Sequence, residues 1–223
     1  HYNDIETRYI EVRDIKKEEI PFELNRISMA LEKVRANYKE LRSQVEKTKN
    51  PYDTEIFDVY ISLLEDMTLM HELEKRLKED MLNAEQIVKS VFHQLIRKFK
   101  SADSIIIREK ALDIEDIGKR LVKKLTGIEE NVLSQIPPDS VIFTKRLLPS
   151  DIVHLRQKNS IAIITEQGSD VSYSAIIARN LGIPSVTDIR INYNDIPPGA
   201  EVLINGYDGL VIVHPTSAMK DKV

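Results

Sequence analysis

Cysteine is absent from the 223-residue chain. This excludes a disulfide framework, a cysteine-ligated metal and a thiol nucleophile. Long apolar runs are also missing: no stretch approaches the roughly 20 residues that cross a bilayer, and the amino terminus lacks the apolar core of a signal peptide. We therefore expect a protein that has no membrane partner and works in the cytoplasm.

A strong net charge is lacking as well. Charged residues make up 30% of the chain, yet the formal net charge at pH 7 is only -4. The global field therefore attracts neither nucleic acid nor an anionic membrane, and partner recognition must depend on local patches. The 42% of hydrophobic residues can build a core, and the length suits one large domain or two modest ones.

Residues 20–136 show the three- and four-residue spacing of apolar side chains that predicts helices. Pro21 suits the first turn of a long helix, and Asn50 followed by Pro51 ends it. Asn83, with Gln86 three residues later, predicts a capping box. Further helices are predicted over residues 56–64, 69–82, 84–99 and 104–126, with Gly127 as the last stop. The lead-in, residues 1–19, contains one possible strand.

Residues 137–223 change to short β-branched runs with a period near two, which predict strands. Gly182 and Pro184 end a predicted helix over 174–181, and another begins near 149–151. The turn at 205–209 predicts a hairpin between the last two strands. The predicted strands are 141–144, 161–164, 201–204 and 210–213. This domain is therefore predicted to be α/β.

A strand, a polar loop and a helix follow one another over residues 163–186. Gly168 and several small polar residues lead into a helix amino terminus, where free backbone N–H groups and the helix dipole suit an anion. Ser172 and Ser174 can add hydroxyl donors, and Thr165 could also hydrogen-bond an anion. An ordinary βα connection capped by serines explains these residues at least as well, so both interpretations stay open.

The run Ser172-x-Ser-Ala-Ile-Ile-Ala-Arg-Asn-Leu-Gly-Ile-Pro-Ser-Val186 resembles the swivelling phosphohistidine domain of Enzyme I of the sugar phosphotransferase system, pyruvate phosphate dikinase and phosphoenolpyruvate synthase. Residues 63–66 and 113–121 resemble the Enzyme I helical domain that docks the carrier protein HPr. Residues 149–150 and 211–216 also resemble the corresponding segments of the Enzyme I family. The resemblance covers nearly the whole chain. It implies an α/β swivelling phosphohistidine-type domain, to which the lead-in adds a strand, plus an inserted all-α helical-bundle domain of the HPr-binding type.

In that family phosphoenolpyruvate phosphorylates a histidine, and the phosphate then passes to HPr in sugar uptake. A separate carboxyl-terminal barrel binds phosphoenolpyruvate with magnesium. The resemblance therefore implies no cofactor for this fragment, an HPr-like phosphocarrier as partner, a monomeric fragment and a homodimeric full-length protein. The partner-binding positions that it implies are Leu63, Leu64, Asp66, Met67 and Glu115.

The active-site loop departs from the family's Gly-Gly-x-Thr-Ser-His pattern. Tyr173 occupies the position of the phosphate-accepting histidine, and Asp170 stands where arginine is common. A phenol with a pKa near 10 is a poor phosphoryl relay, and a carboxylate repels a phosphoryl group that arginine would bind. Three hypotheses follow: a phosphotransferase with an altered acceptor position, a catalytically degenerate binding or regulatory module, or phosphorylation of Tyr173 itself.

The remaining histidines and the basic residues of the helical half carry no chemistry in this interpretation. His71, His93, His154 and His214 form no recognisable metal set and are interpreted as packing or surface residues. The cations of residues 97–100, 120 and 123–124 are interpreted as solvated helix surface.

Overall fold

A computed structural model describes residues 10–46, 54–127, 136–148, 151–152, 155, 159–169, 172–190, 192 and 195–220. These residues form two compact units, one from residues 10 to 127 and one from residues 136 to 220. The first is a helical bundle and the second is α/β, which confirms the predicted fold class. Among the described residues, no helix is both long and apolar enough to cross a membrane.

Five helices build the helical unit, and each lies within a few residues of a predicted helix. Gly127 ends the last of them with a positive φ of 67°. The predicted break at Asn50 and Pro51 lies outside the described residues. The helices are α1 Ile20–Glu46, α2 Glu55–Glu65, α3 Met67–Asp80, α4 Ala84–Lys100 and α5 Ile105–Thr126.

The core of the helical unit contains an aromatic cluster. Tyr38 of α1 and Tyr60 of α2 are buried with ring centroids 5.0 Å apart, and Phe57 adjoins both. The Tyr60 hydroxyl donates a 2.7 Å hydrogen bond to Oδ1 of Asp113 on α5. Burial, reinforced by the negative charge of Asp113, raises the pKa of Tyr60. The cluster thus joins α2 to α1 and to α5.

Close packing of α4 against α5 depends on Gly118. A Cβ atom at this position would lie 2.9 Å from both Cβ and Cγ of Phe92 on α4. Such a distance is well inside van der Waals contact, so any side chain at residue 118 would push the two helices apart.

The described part of the lead-in, residues 10–19, makes contacts with the helical unit. The Asn83 side chain accepts a hydrogen bond from the Arg13 N–H and donates one to the Glu11 carbonyl, while Ile15 N–H donates to the Met81 carbonyl. The sequence favours the α/β domain for residues 1–19, whereas the described residues 10–19 belong with the helices. Residues 1–9 lie outside the described residues.

The predicted capping box at Asn83 and Gln86 is wrong. Asn83 is the N-cap of α4, but its side chain makes no capping hydrogen bond. Both polar side chains are directed to the lead-in instead, where Gln86 Nε2 donates to the Ile10 carbonyl. The Ala84 N–H is capped by the Oε2 atom of Glu23, a residue 61 positions away on α1.

Glu23 is a fully buried carboxylate, with 0% of its surface exposed. Arg13 donates to its Oε1 atom at 2.6 Å, and Arg26 donates to its Oε2 atom at 2.7 Å. Arg26 also donates to Glu85 and to the Leu125 carbonyl. One buried carboxylate, with its two arginines, therefore connects the lead-in, α1, α4 and the end of α5.

The described residues of the α/β unit form two sheets. In the first, the strands lie in the order β1, β2, β3 and run parallel, with Val141 opposite Ala162 and Ile163 opposite Ser185. In the second, β4 and β5 form the predicted antiparallel hairpin. The elements are β1 Val141–Thr144, β2 Ala162–Thr165, α6 Tyr173–Asn180, β3 Ser185–Val186, β4 Val202–Asn205, β5 Leu210–Val213 and α7 Ser217–Lys220. The short strand β3 was not apparent from the sequence pattern.

We expect Glu23→Ala to lower the free energy of unfolding by about 3 kcal/mol, because it removes the acceptor that Arg13, Arg26 and the Ala84 N–H share, although Arg13 keeps Glu19 and Arg26 keeps Glu85. Glu32→Ala is the matched control: Glu32 is exposed on the same helix, and its loss should change stability by less than about 0.5 kcal/mol. Urea unfolding followed by far-ultraviolet circular dichroism measures both. Equal losses in the two variants would contradict the role of Glu23.

We expect Gly118→Ala to destabilise the helical unit by about 2 kcal/mol, because the clash with Phe92 outweighs the gain of about 1 kcal/mol in helix propensity. In a Phe92→Ala background the same substitution should cost less, since Cγ and the ring beyond it are gone and only the Cβ atom of residue 92 still meets the new methyl group. Thermal unfolding of the four proteins gives the coupling. Additive effects would show that the contact between residues 118 and 92 is not the constraint.

Candidate functional site

The loops after β1 and β2 lie together at the carboxyl edge of the parallel sheet. Glu166 N–H donates to the carbonyl of Thr144, the last residue of β1, and Gln167 N–H donates to the Lys145 carbonyl. The Ser174 hydroxyl donates to the Leu147 carbonyl at 2.9 Å. This edge therefore brings the loop after β1, the loop after β2 and the start of α6 together.

Ser172 caps α6. Its side-chain oxygen accepts a 3.3 Å hydrogen bond from Ala175 N–H, and its hydroxyl donates to the Ser169 carbonyl at 2.8 Å. The hydroxyl protons of Ser172 and Ser174 are thus both committed within the protein. Of the two interpretations that the sequence leaves open for these residues, the observed hydrogen bonds favour the one in which they hold the loop and the helix in place.

Two other hydroxyl groups, one at the end of β2 and one in the loop that follows it, do not form such hydrogen bonds with described residues. Thr165, the last residue of β2, is only 5% exposed, and its Oγ1 atom has no hydrogen-bond partner among the described residues. The Oγ atom of Ser169 is likewise buried without a partner in the described part of the chain. Gly168 lies between them in the sequence and has a φ of 139°, a backbone conformation that would be strained for a residue with a side chain. A Cβ atom added to Gly168 would lie 3.7 Å from the Oγ1 atom of Thr165.

Buried hydroxyl groups without a partner are destabilising unless a ligand or water completes them. Here they lie in the loop that enters the amino terminus of α6, where the first backbone N–H groups have no acceptor within the helix. The arrangement suits an anion. Thr165 was a candidate from the sequence, but the contribution of Ser169 was missed because it stands where the related loops have glycine.

Tyr173 is the first residue of α6, directly after its Ser172 cap. The structure therefore places the backbone of the predicted acceptor position at the mouth of this loop. The Tyr173 side chain and the whole of Asp170 lie outside the described residues.

The predicted partner-binding residues of the helical unit divide into two groups. Met67 is 80% exposed, Asp66 is exposed and Leu63 is half-buried, so a partner can reach all three. Leu64 is 7% exposed, and Glu115 is 5% exposed with a 2.8 Å ion pair to Lys119. Leu64 and Glu115 therefore lie in the interior of the helical unit, where they pack within α2 and α5 and offer little surface to a partner.

The exposed members lie at a break between two helices. Asp66 has extended backbone angles, φ -68° and ψ 117°, and its Oδ1 atom accepts a 2.7 Å hydrogen bond from Thr68 N–H as the cap of α3. This hydrogen bond lowers the pKa of Asp66. Val59, which the sequence analysis missed, is 51% exposed one helical turn before Leu63. We call Val59, Leu63, Asp66 and Met67 the elbow surface.

The histidines of the described residues are surface residues. His71 and His93 are exposed on α3 and α4, and His214 is exposed after β5. His154 lies outside the described residues. Within the part of the chain that the structure describes, no group of three or more histidine, aspartate or glutamate residues has the arrangement of a metal site.

Comparisons with known proteins place both units among enzymes that use phosphoenolpyruvate (PEP). Residues 4–110 match the family "PEP-utilising enzyme, N-terminal", and residues 136–209 match "PEP-utilising enzyme, mobile domain". The phosphoenolpyruvate-protein phosphotransferase of Priestia megaterium is 32% identical over 198 residues, 89% of this chain and 35% of that protein. The enzyme of the same name from Staphylococcus carnosus is 30% identical over 194 residues, 87% of this chain and 34% of that protein.

Solved structures agree with this assignment. An NMR solution structure of an Enzyme I protein, nEIt, has a TM-score of 0.71 at 26% identity, with 96% of this chain and 86% of that chain covered. The N-terminal domain of Enzyme 1 - Nitrogen shares the fold, with a TM-score of 0.63 at 22% identity. The chain spans about a third of the length of the curated relatives above.

We expect opposite effects from removing two hydroxyl groups of the loop. Thr165→Val should stabilise the α/β unit by about 1 kcal/mol in phosphate-free buffer, because it removes a buried hydroxyl that has no partner. Ser172→Ala should destabilise it by about 1 kcal/mol through loss of the α6 cap. Denaturant unfolding followed by amide hydrogen exchange of β2 and α6 measures both. Destabilisation by Thr165→Val would mean that its hydroxyl is already satisfied.

Proposed function

The chain belongs to the PEP-utilising enzyme family, and from that membership we propose that it is the carrier-docking and phosphoryl-loop part of an Enzyme I-like phosphoenolpyruvate-protein phosphotransferase. The observation that carries the proposal is the order of the two family domains, N-terminal then mobile, over nearly the whole chain. In this proposal the elbow surface binds an HPr-like phosphocarrier, and the loop before α6 meets the phosphoryl group.

The chemistry of the elbow surface supports a protein partner. Three apolar side chains, those of Val59, Leu63 and Met67, are accessible around the carboxylate of Asp66. An apolar centre with a charged rim is typical of transient protein interfaces. The fixed cap hydrogen bond from Thr68 holds Asp66 in one geometry, so little conformational entropy is lost when a basic partner binds.

The loop supports phosphoryl recognition more directly than phosphoryl relay. Thr165 and Ser169 leave buried hydroxyl groups open at the helix amino terminus, which suits phosphate oxygens. Transfer through the family's acceptor position, in contrast, needs a nucleophile that is also a good leaving group. Tyr173 supplies a phenol there, whose ordinary pKa near 10 leaves it protonated at neutral pH.

A second candidate function follows from that substitution: a catalytically degenerate Enzyme I-like module that binds the carrier for regulation. Tyr173 and Asp170 together favour it, because one removes the nucleophile and the other adds negative charge to the loop. Both versions of the proposal assign phosphoenolpyruvate and magnesium to a separate barrel domain. In both, the 223-residue chain is a monomer and the full-length protein is a homodimer. The pathway that both versions serve is cytoplasmic sugar uptake.

Reverse transfer tests the proposal. The chain and its Tyr173→His variant are incubated with the phosphorylated HPr-like protein of the same source, and intact mass is read for each. We expect the histidine variant to gain one acid-labile phosphoryl group. Met67→Asp in that background should slow the transfer at least about tenfold by placing a charge in the interface, whereas Met219→Asp, in α7 of the other unit, should not.

Which of the two proteins becomes phosphorylated distinguishes the candidate functions. Acid-labile phosphate on the parent chain as well as on the variant would mean a working relay with another acceptor, and acid-stable phosphate on the parent chain would point to an ester such as that of Tyr173. Phosphate on the variant alone would mean that docking survives without relay chemistry. Phosphate on neither, with the variant folded by circular dichroism, would overturn phosphoryl transfer at this loop and with it the leading proposal, leaving the degenerate docking module as the function.

A further inference from the structure

The exposed side of α4 carries charge of one sign. From Gln86 to Ala102 the formally charged residues are Lys89, Arg97, Lys98 and Lys100, and no acidic residue interrupts them. All four are exposed, and His93 is exposed between the first two. We call Lys89, His93, Arg97 and Lys100 the α4 cationic face; Lys98 is excluded because it lies about 180° around the helix from Lys89.

The charges of this face are not neutralised within the described part of the chain. None of its lysine or arginine side chains forms an ion pair with a described residue, whereas on neighbouring helices Arg42 pairs with Asp58 and Lys78 with Glu74. Arg108, at the start of α5, adds a further exposed cation and donates only to the Ala102 and Asp103 carbonyls. Among the side chains that the structure describes, the end of this hairpin therefore has an excess of positive charge, with Arg97, Lys98, Lys100 and Arg108 beside the exposed carboxylate of Asp103.

The helix dipole explains only part of the pattern. Cations in the last turn of a helix interact favourably with its carboxyl end, and Arg97, Lys98 and Lys100 lie there. The effect fades beyond that turn, so it does not account for Lys89 or His93. Residues 89, 93, 97 and 100 follow one another at spacings of four, four and three, which places them along a single side of the helix.

Apolar side chains accompany the cations. Ile96 and Phe99 are half-buried on α4, and Ile107 is 45% exposed at the start of α5. A half-buried phenylalanine offers contact area but cannot extend into a bilayer, which argues for a protein surface as the occupant and against a membrane. Aromatic residues and arginine are also enriched in protein interfaces.

We propose that the α4 cationic face docks an acidic helical segment of a partner protein, at a surface separate from the elbow surface on α2 and α3. The stripe from Lys89 to Lys100 is about 16 Å long at 1.5 Å per residue. A helix that presents carboxylates at the same spacings of four, four and three places one opposite each of the cations Lys89, Arg97 and Lys100, and one opposite His93, whose ring N–H can donate a hydrogen bond. The apolar residues Ile96, Phe99 and Ile107 supply contact area beside the ion pairs.

Two synthetic helical peptides of identical composition provide the test. One carries about four glutamates on a single side at spacings of four, four and three, and the other distributes them around the helix. We expect the one-sided peptide to bind the full chain at least about tenfold more tightly by fluorescence anisotropy. Lys89→Glu/Arg97→Glu should abolish this preference, whereas Lys16→Glu/Lys17→Glu, which changes the charge equally at exposed sites before α1, should keep it.

Three results would overturn the proposal. The first is equal binding of the two peptides, which would mean diffuse electrostatic attraction. The second is equal loss in the two charge-reversal variants, which would place binding elsewhere. The third is tighter binding to vesicles rich in phosphatidylglycerol, or to duplex DNA, than to the one-sided peptide. These outcomes are independent of carrier docking, because neither variant alters the elbow surface.

Discussion

The helical unit depends on one buried carboxylate. Glu23 is fully buried, and a charge removed from water destabilises a protein by several kcal/mol unless ion pairs and hydrogen bonds compensate it. Its compensation comes from Arg13 in the lead-in, Arg26 on the same helix and the Ala84 N–H of α4. Since Arg13 and Ala84 lie on other parts of the chain, the carboxylate is fully compensated only when the lead-in, α1 and α4 assemble together. The cluster thereby holds α4, which carries the α4 cationic face, against α1 and the lead-in.

The sequence predicts this fold where structure follows from local pattern. Apolar spacing locates all five long helices, and β-branched runs locate the strands of the hairpin and of β1 and β2. It does not predict Glu23, because a glutamate in an amphipathic helix is ordinarily exposed and its partners are 10 and 61 residues away. The failed capping box has the same origin: the polar groups of Asn83 and Gln86 find partners in the lead-in that only the tertiary structure brings near.

In the loop before α6, the directions of the side-chain hydroxyl groups also could not be predicted from the sequence. Composition identifies a polar loop before a helix, but the direction in which each hydroxyl donates depends on which carbonyl lies nearby. Ser174 donates to Leu147, 27 residues away, and Ser172 donates to Ser169. Thr165 and Ser169 are left open instead. In the same way, Leu64 and Glu115, which were predicted to dock a partner, are buried, whereas Val59, which the sequence analysis missed, is exposed. The identity of the family was readable from sequence, whereas these assignments required three dimensions.

The central claim, that the elbow surface is the docking site for an HPr-like carrier, is tested most directly by amide chemical-shift mapping of the labelled chain during titration with the unphosphorylated carrier. The account predicts saturable shifts centred on Val59, Leu63, Asp66 and Met67, with the β4–β5 hairpin unchanged. An absence of saturable shifts, or shifts centred on another surface with the elbow surface unchanged, would contradict it.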